Sequence, residues 1–144
     1  KPDMLNGYPA NWGFDDRTVG VRVPPARGEG SRLEHRMPDA AANPYLAGAA
    51  LLHAARIGVE EDLEVPPAQQ AGEEPNTDVA VPNTLEEALD ELQKDTTLVG
   101  ALGEWLVESF VMLKRAEWDR YVAAGETSDT DVTPWELEYY LPFF

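Results

Sequence analysis

The sequence has no cysteine, so it carries no disulfide scaffold, and with no signal-peptide pattern nothing points to secretion. The cytosol is the expected compartment. Positive charge is scarce: 11 Lys and Arg stand against 27 Asp and Glu, a formal net charge of -16. That balance argues against nucleic-acid binding by the chain as a whole, because phosphate contacts require clustered Lys and Arg. Long apolar runs are also missing. The longest stretch without formal charge, Ala40 to Ala55, contains Pro44 and His53 and falls short of the roughly 20 apolar residues of a spanning helix, so no membrane partner is expected. There is no internal repeat, Walker A loop, dinucleotide-type glycine fingerprint, zinc-type Cys/His spacing or nucleophile elbow. A chain of 144 residues has material for one core and little for two, so it reads as one domain or part of one.

The few cations are unevenly placed. Six of the eleven basic residues fall within the first 37 positions beside five acids, whereas the remainder carries five basic residues and 22 acids. Five of the six are arginines between Arg17 and Arg36, in RTVGVRVPPARGEGSRLEHR. Val19, Val21 and Val23 alternate as one face of a strand, and Arg32, Glu34 and Arg36 alternate with Leu33, His35 and Met37 as a second strand. Pro24, Pro25, Gly28 and Gly30 separate the two, which predicts an antiparallel hairpin over residues 17–37. Three charges on one face make either an anion site or a solvated ladder of surface ion pairs, each worth about 0–1 kcal/mol. A small anionic ligand fits the local excess of arginine. His35, on the opposite face, reads as a packing residue, and Asp15 and Asp16 read as groups that orient Arg17.

Around the hairpin, residues 1–16 are rich in turn formers with interspersed aromatics and read as a loop. Asn43 and Pro44 are a cap and a first helical residue. The helix they start runs to about Gly58, and its Ala, Gly and Leu content predicts burial, with His53 a core histidine. Residues 59–83 read as a mobile polar excursion without catalytic residues. Thr84 and Glu87 form a capping box ahead of a helix ending near Lys94. Leu98, Leu102, Leu106, Phe110 and Leu113 predict one long amphipathic helix ending at Gly125, with Trp105, Phe110 and Trp118 in the core. Thr133 and Pro134 start a short final helix before an apolar tail that needs a surface to cover. The expected fold class is α+β, with the hairpin as part of a larger sheet and a mainly helical region over 43–144.

Arg17-Thr18-Val19-Gly20-Val21-Arg22-Val23-Pro24, Arg32-Leu33-Glu34-His35-Arg36-Met37-Pro38-Asp39 and Ala42-Asn43-Pro44-Tyr45-Leu46 together resemble the C-terminal part of the catalytic domain of glutamine synthetases. Residues 84–89 and 135–144 also look like family segments, so the resemblance covers almost the entire chain. It implies an ATP-dependent ligase that joins ammonia or another amine to the γ-carboxylate of glutamate through a γ-glutamyl phosphate. Carried over, Arg17 faces the transferring phosphate and the glutamate, Arg22 contacts ATP phosphate, and Arg32 helps hold the nucleotide. Glu34 matches a ligand of a Mg2+ or Mn2+ ion that bridges the phosphates, and Arg36 matches an arginine that engages glutamate. These residue types suit phosphoryl transfer, in which guanidinium forks supply fixed donors and a hard cation takes carboxylate oxygen.

The resemblance further implies that the family's other metal ligands lie upstream of Lys1, that active sites form between subunits of a homo-oligomeric ring, and that these residues alone are inactive. Two departures stand out. Leu5 occupies the position of the family's flap glutamate, with Asp3 the nearest carboxylate, which suits an organic amine. Trp12-Gly13 and Arg17-Thr18 likewise resemble the γ-glutamylpolyamine synthetase branch, so a γ-glutamylamide ligase is the first alternative. Arg27 stands near where the family has a lysine, and no tyrosine in 65–81 matches the one adenylylated in some bacterial enzymes. A non-catalytic scaffold is the remaining alternative, against which the retained Arg17, Arg22, Glu34 and Arg36 argue.

Overall fold

In the computed structural model, which describes residues 9–125 and 131–143, the chain is α+β and divides into two units. One comprises Lys1–Ala40 and Glu64–Val81, the other Ala41–Leu63 and Pro82–Phe144.

The first unit holds a three-stranded sheet in the order β1 (Trp12–Phe14), β2 (Val21–Val23), β3 (Glu34–His35). The expected hairpin is there as the antiparallel β2–β3 pair, with Val21 opposite His35 and Arg22 opposite Glu34. It is shorter than the sequence suggests, and β1 adds a parallel partner to β2 inside the stretch read as loop. Val19 does not lie in the strand: it is fully buried just before it. A Cβ at Gly20 would sit 3.3 Å from the Pro9 and Asn11 carbonyl oxygens and from the Met37 sulfur, so a side chain here would crowd this approach of three segments and its neighbours would have to give by a few tenths of an ångström.

Residues 64–81 are not a free polar excursion. Gln69 pairs with Gly13 as a parallel bridge on β1, and Ala80 pairs with Pro9. The buried Gln69 amide donates to the carbonyls of Gln70, Glu73 and Glu74 and accepts from the Asn76 backbone N–H at 2.8 Å. One side chain thus satisfies the backbone of a turn that has no ladder of its own. Trp12 Nε1 donates to the Pro66 carbonyl at 2.7 Å, fixing the other end.

The second unit is helical: α1 (Pro44–Glu60), α2 (Leu85–Lys94), α3 (Thr96–Leu102), α4 (Glu104–Ala124) and α5 (Pro134–Tyr140). Asn43, Thr84 and Thr133 cap α1, α2 and α5 as expected, the last two as full capping boxes. The core is Leu89, Val107 and Val111, with Leu85, Leu92, Val99, Leu102 and Phe110 packed on it.

Two expectations fail here. The single long helix is two, bent by 105° at Gly103, where φ 97° and ψ 118° break the helix with a conformation suited to glycine. The bend turns Trp105 out to solvent instead of into the core. Nor is α1 buried: among the described residues α3 is the one helix it packs on, Tyr45, Leu52 and Val59 are exposed, and His53 is only half-buried, beside Arg56. Among the described residues no single helix is long and apolar enough to cross a membrane.

Candidate active site

The site is built on the β2–β3 register. Antiparallel neighbours project to the same side of a sheet, so pairing Arg22 with Glu34 brings guanidinium and carboxylate together. Arg22 Nη1 donates to Glu34 Oε2 at 2.7 Å, and Arg22 Nη2 donates to Asp15 Oδ1. Asp15 reaches this point because it leaves β1 in a left-handed conformation, φ 50°, which an aspartate tolerates better than most residues, while its backbone N–H stays bonded to the Val23 carbonyl. Arg32, just before β3, donates to Glu34 Oε1 from Nε and Nη2 at 3.1 and 2.9 Å. Its Nη1 also bonds the Gly30 carbonyl.

The connection between the strands is closed locally. After Pro24 and Pro25 the chain makes a 3-10 turn at Gly28–Gly30, with Gly28 at φ 62°. Arg27 Nη1 donates back to the carbonyls of Pro24 and Ala26. Arg27 is therefore a turn brace in this structure.

The carboxylates divide differently from the sequence expectation. Asp15 pairs with Arg22 and not with Arg17. Asp16 is buried and accepts from both the backbone N–H and the hydroxyl of Thr18, at 2.8 and 2.7 Å, an Asx turn that reverses the chain before β2. Those bonds to Thr18 hold the Asp16 pKa below its ordinary value against its burial, with Arg36 adding to the effect. Arg36 thus lies in electrostatic reach of Asp16, half-buried, with its backbone N–H bonded to the Gly20 carbonyl. Arg17 is exposed and makes no ion pair among the described residues. His35 is exposed, so it packs less than its place opposite the charged face suggests.

Electrostatically, Glu34 is the focus. Its hydrogen bond from Arg22 and then that from Arg32 hold its pKa below the ordinary glutamate value despite some desolvation, and Arg22 is raised in turn by Glu34 and Asp15. The Arg22 side chain is 14% exposed and that of Glu34 30%. Sequence reasoning missed Asp15 as the second acceptor of Arg22 and Gln69 as the organiser behind β1. The available signal for Asp15 was its seven-residue spacing from Arg22 across a tight turn. Leu5, Pro2 and Asp3 lie outside the described residues.

Both Glu34 oxygens already take guanidinium bonds, and among the described residues no group of three or more His, Asp or Glu could hold a metal ion. A hard divalent cation takes about six or more oxygen ligands. These residues alone do not fit a metal.

A charged strand pair of this kind belongs to no single family, but the chain as a whole does. The family profile described as "Glutamine synthetase, catalytic domain" matches residues 1–140. The chain belongs to this family. It is 37% identical to glutamine synthetase of Thermotoga maritima, the match covering 96% of this chain and 33% of the relative. It is 39% identical to that of Pyrococcus horikoshii, with 95% and 34% covered. A cryo-EM structure of Plasmodium falciparum glutamine synthetase superposes with a TM-score of 0.65 at 18% identity, over 96% of this chain and 35% of that one, which shows a common fold. The chain spans about a third of the length of these relatives.

Proposed function

We propose that this chain is the arginine-rich, C-terminal part of the active site of an ATP-dependent glutamate-amine ligase, with ammonia as the amine. The γ-carboxylate of glutamate attacks the γ-phosphorus of ATP, ADP leaves, and a γ-glutamyl phosphate results. The amine then attacks the acyl carbon, inorganic phosphate leaves, and the nitrogen gives up a proton. Both steps move negative charge on phosphoryl oxygens, and catalysis consists largely of positioning and charge stabilisation.

The observation that carries this reading is the Arg22–Glu34–Arg32 cluster with Arg17 nearby in sequence and outside any ion pair among the described residues, in a chain of net charge -16. Arg22 is held by Asp15 and Glu34, so its fork is oriented before any anion arrives. Arg17, with no competing carboxylate among the described residues, is the guanidinium assigned to the transferring phosphate and the glutamate. Arg32 is assigned to the nucleotide and Arg36 to glutamate. Glu34 is assigned as one ligand of a Mg2+ or Mn2+ ion, which when bound would neutralise charge on the phosphates. The other ligands, and the subunit neighbour in a homo-oligomeric ring, would come from outside these residues.

Leu5, at the family's flap glutamate position, supports a second reading. Without a carboxylate beside the amine site, an organic amine is favoured over ammonium, which makes a γ-glutamylamide ligase. The test is glutamate-dependent phosphate release from ATP and magnesium by the full-length protein, with ammonium compared against monoamines and polyamines. Saturable turnover with ammonium supports the first reading, and turnover with an organic amine alone replaces it by the second. No turnover with any amine would leave a non-catalytic scaffold.

A further inference from the structure

Two carboxylates are buried among the described residues, and their surroundings differ. Glu117, 6% exposed, is met by the Lys114 ammonium at 2.8 Å and by the Tyr140 hydroxyl. Asp16, 7% exposed, is only half satisfied. Its Oδ1 accepts from the Thr18 backbone N–H and hydroxyl, at 2.8 and 2.7 Å, while its Oδ2 is buried and accepts no hydrogen bond among the described residues. A buried carboxylate oxygen without a donor is costly and calls for a physical reason.

The turn does not supply that reason, because asparagine presents the same acceptor oxygen and closes an Asx turn without burying a charge. What the turn does is hold one residue out. Asp16 and Val19 are both buried, so the two exposed residues between them are pinned at each end, and Arg17 is the residue that the two Asp16–Thr18 bonds span. Asp16 therefore orients Arg17 through the backbone and not through an ion pair. The chain then enters β2 through Gly20, whose carbonyl takes the Arg36 backbone N–H at 2.9 Å. That bond continues the β2–β3 register and brings Arg36 alongside the same turn, where its charge acts on the Asp16 carboxylate.

We infer, resting on the function proposed above, that Asp16 is a positioning residue for the glutamate end of the site: its turn presents Arg17 and its buried charge holds Arg36. The two guanidiniums assigned to glutamate thus share one anchor, separate from the Asp15–Arg22–Glu34–Arg32 series of ion pairs assigned to the nucleotide and its metal. Arginines held in place before the substrate arrives cost less to order when it binds.

The test is glutamate-dependent phosphate release by the full-length protein, with glutamate and ATP varied in turn at saturating amine. Asp16→Asn keeps the acceptor of the turn and removes the charge. It should raise the glutamate KM by about five-fold or more and leave the ATP KM within about two-fold, a split that general loosening of the fold does not produce. Thr18 is exposed, so substitutions there spare the interior. Thr18→Val, which keeps the shape without the hydroxyl, should lower kcat by about five-fold or more, because a misplaced group at the transferring phosphate slows the chemistry. Thr18→Ser, which restores the hydroxyl, should recover it. A smaller rise in glutamate KM for Asp16→Asn, or one shared with ATP, would overturn the assignment, as would Thr18→Val and Thr18→Ser proteins alike in kcat. The Thr18 pair decides if Asp16→Asn does not fold. Wild-type protein without turnover would remove the proposed function and this role of Asp16 with it, whereas wild-type turnover without these effects removes the role alone.

Discussion

Glu34 is a carboxylate whose two oxygens face two different arginines, and its titration reports that arrangement directly. Its pKa is depressed in the folded chain, chiefly by the hydrogen bond from Arg22. A depressed acid contributes stability that is present above its unfolded-state value, near 4.5, and lost as pH falls through the lower folded value. The stability difference between the wild-type protein and Glu34→Gln should therefore be constant from neutral pH down to about pH 5 and shrink as the pH falls further, read from urea midpoints at each pH. A difference independent of pH down to about 3 would mean that the Arg22 and Arg32 contacts do not act on the ionised form. At this scale the sequence was informative where alternation brings side chains together. Arg32 and Glu34 are two apart in one chain segment, and Arg22 meets Glu34 through the hairpin. It was uninformative for Asp15 and Asp16, because which of two adjacent acids reaches an arginine depends on a turn in which Asp15 takes a positive φ.

Among the elements, the caps were legible and the breaks were not. Asn43-Pro44, Thr84 with Glu87, and Thr133-Pro134 with Glu136 each start a helix as their side-chain chemistry requires. The spacing of Leu98, Leu102 and Leu106 runs straight through Gly103, because periodicity records which positions are apolar and not the direction of the axis. Gly100 and Gly103 separate the two effects. At neither would an added Cβ meet another atom within 4 Å, so space is not at issue. Gly100→Ala should raise stability by about 0.4–1 kcal/mol, since it sits inside α3 with a helical backbone that alanine adopts freely. Gly103→Ala should lower it by about 1–3 kcal/mol because alanine is strained at its positive φ. Urea unfolding of the two variants checks the pair, and equal effects would contradict the bend as the reason for the glycine. The segment 64–81 was illegible for a related reason: it is held by one buried glutamine and by single bridges to β1 and Pro9, none of which leaves a repeating pattern.

For the whole molecule, the α+β class followed from pattern, whereas β1, the division of the long helix into α3 and α4, and burial did not. The large apolar side chains of α1 and of the outer face of α4 remain exposed, including Tyr45, Leu52, Trp105, Met112 and Leu113. Helix composition states that such faces require cover and does not say what supplies it. The relatives are about three times as long as this chain. Everything functional here depends on whether the arginine cluster and Glu34 serve phosphoryl transfer. The most direct measurement is glutamate-dependent phosphate release from ATP by the full-length protein and by its Glu34→Ala variant, with thermal unfolding as a check that the variant folds. A loss on the order of 10²–10³-fold in kcat or more, in a folded variant, is the expected result. Turnover by a folded Glu34→Ala variant within a few-fold of wild type would contradict the assignment of this site.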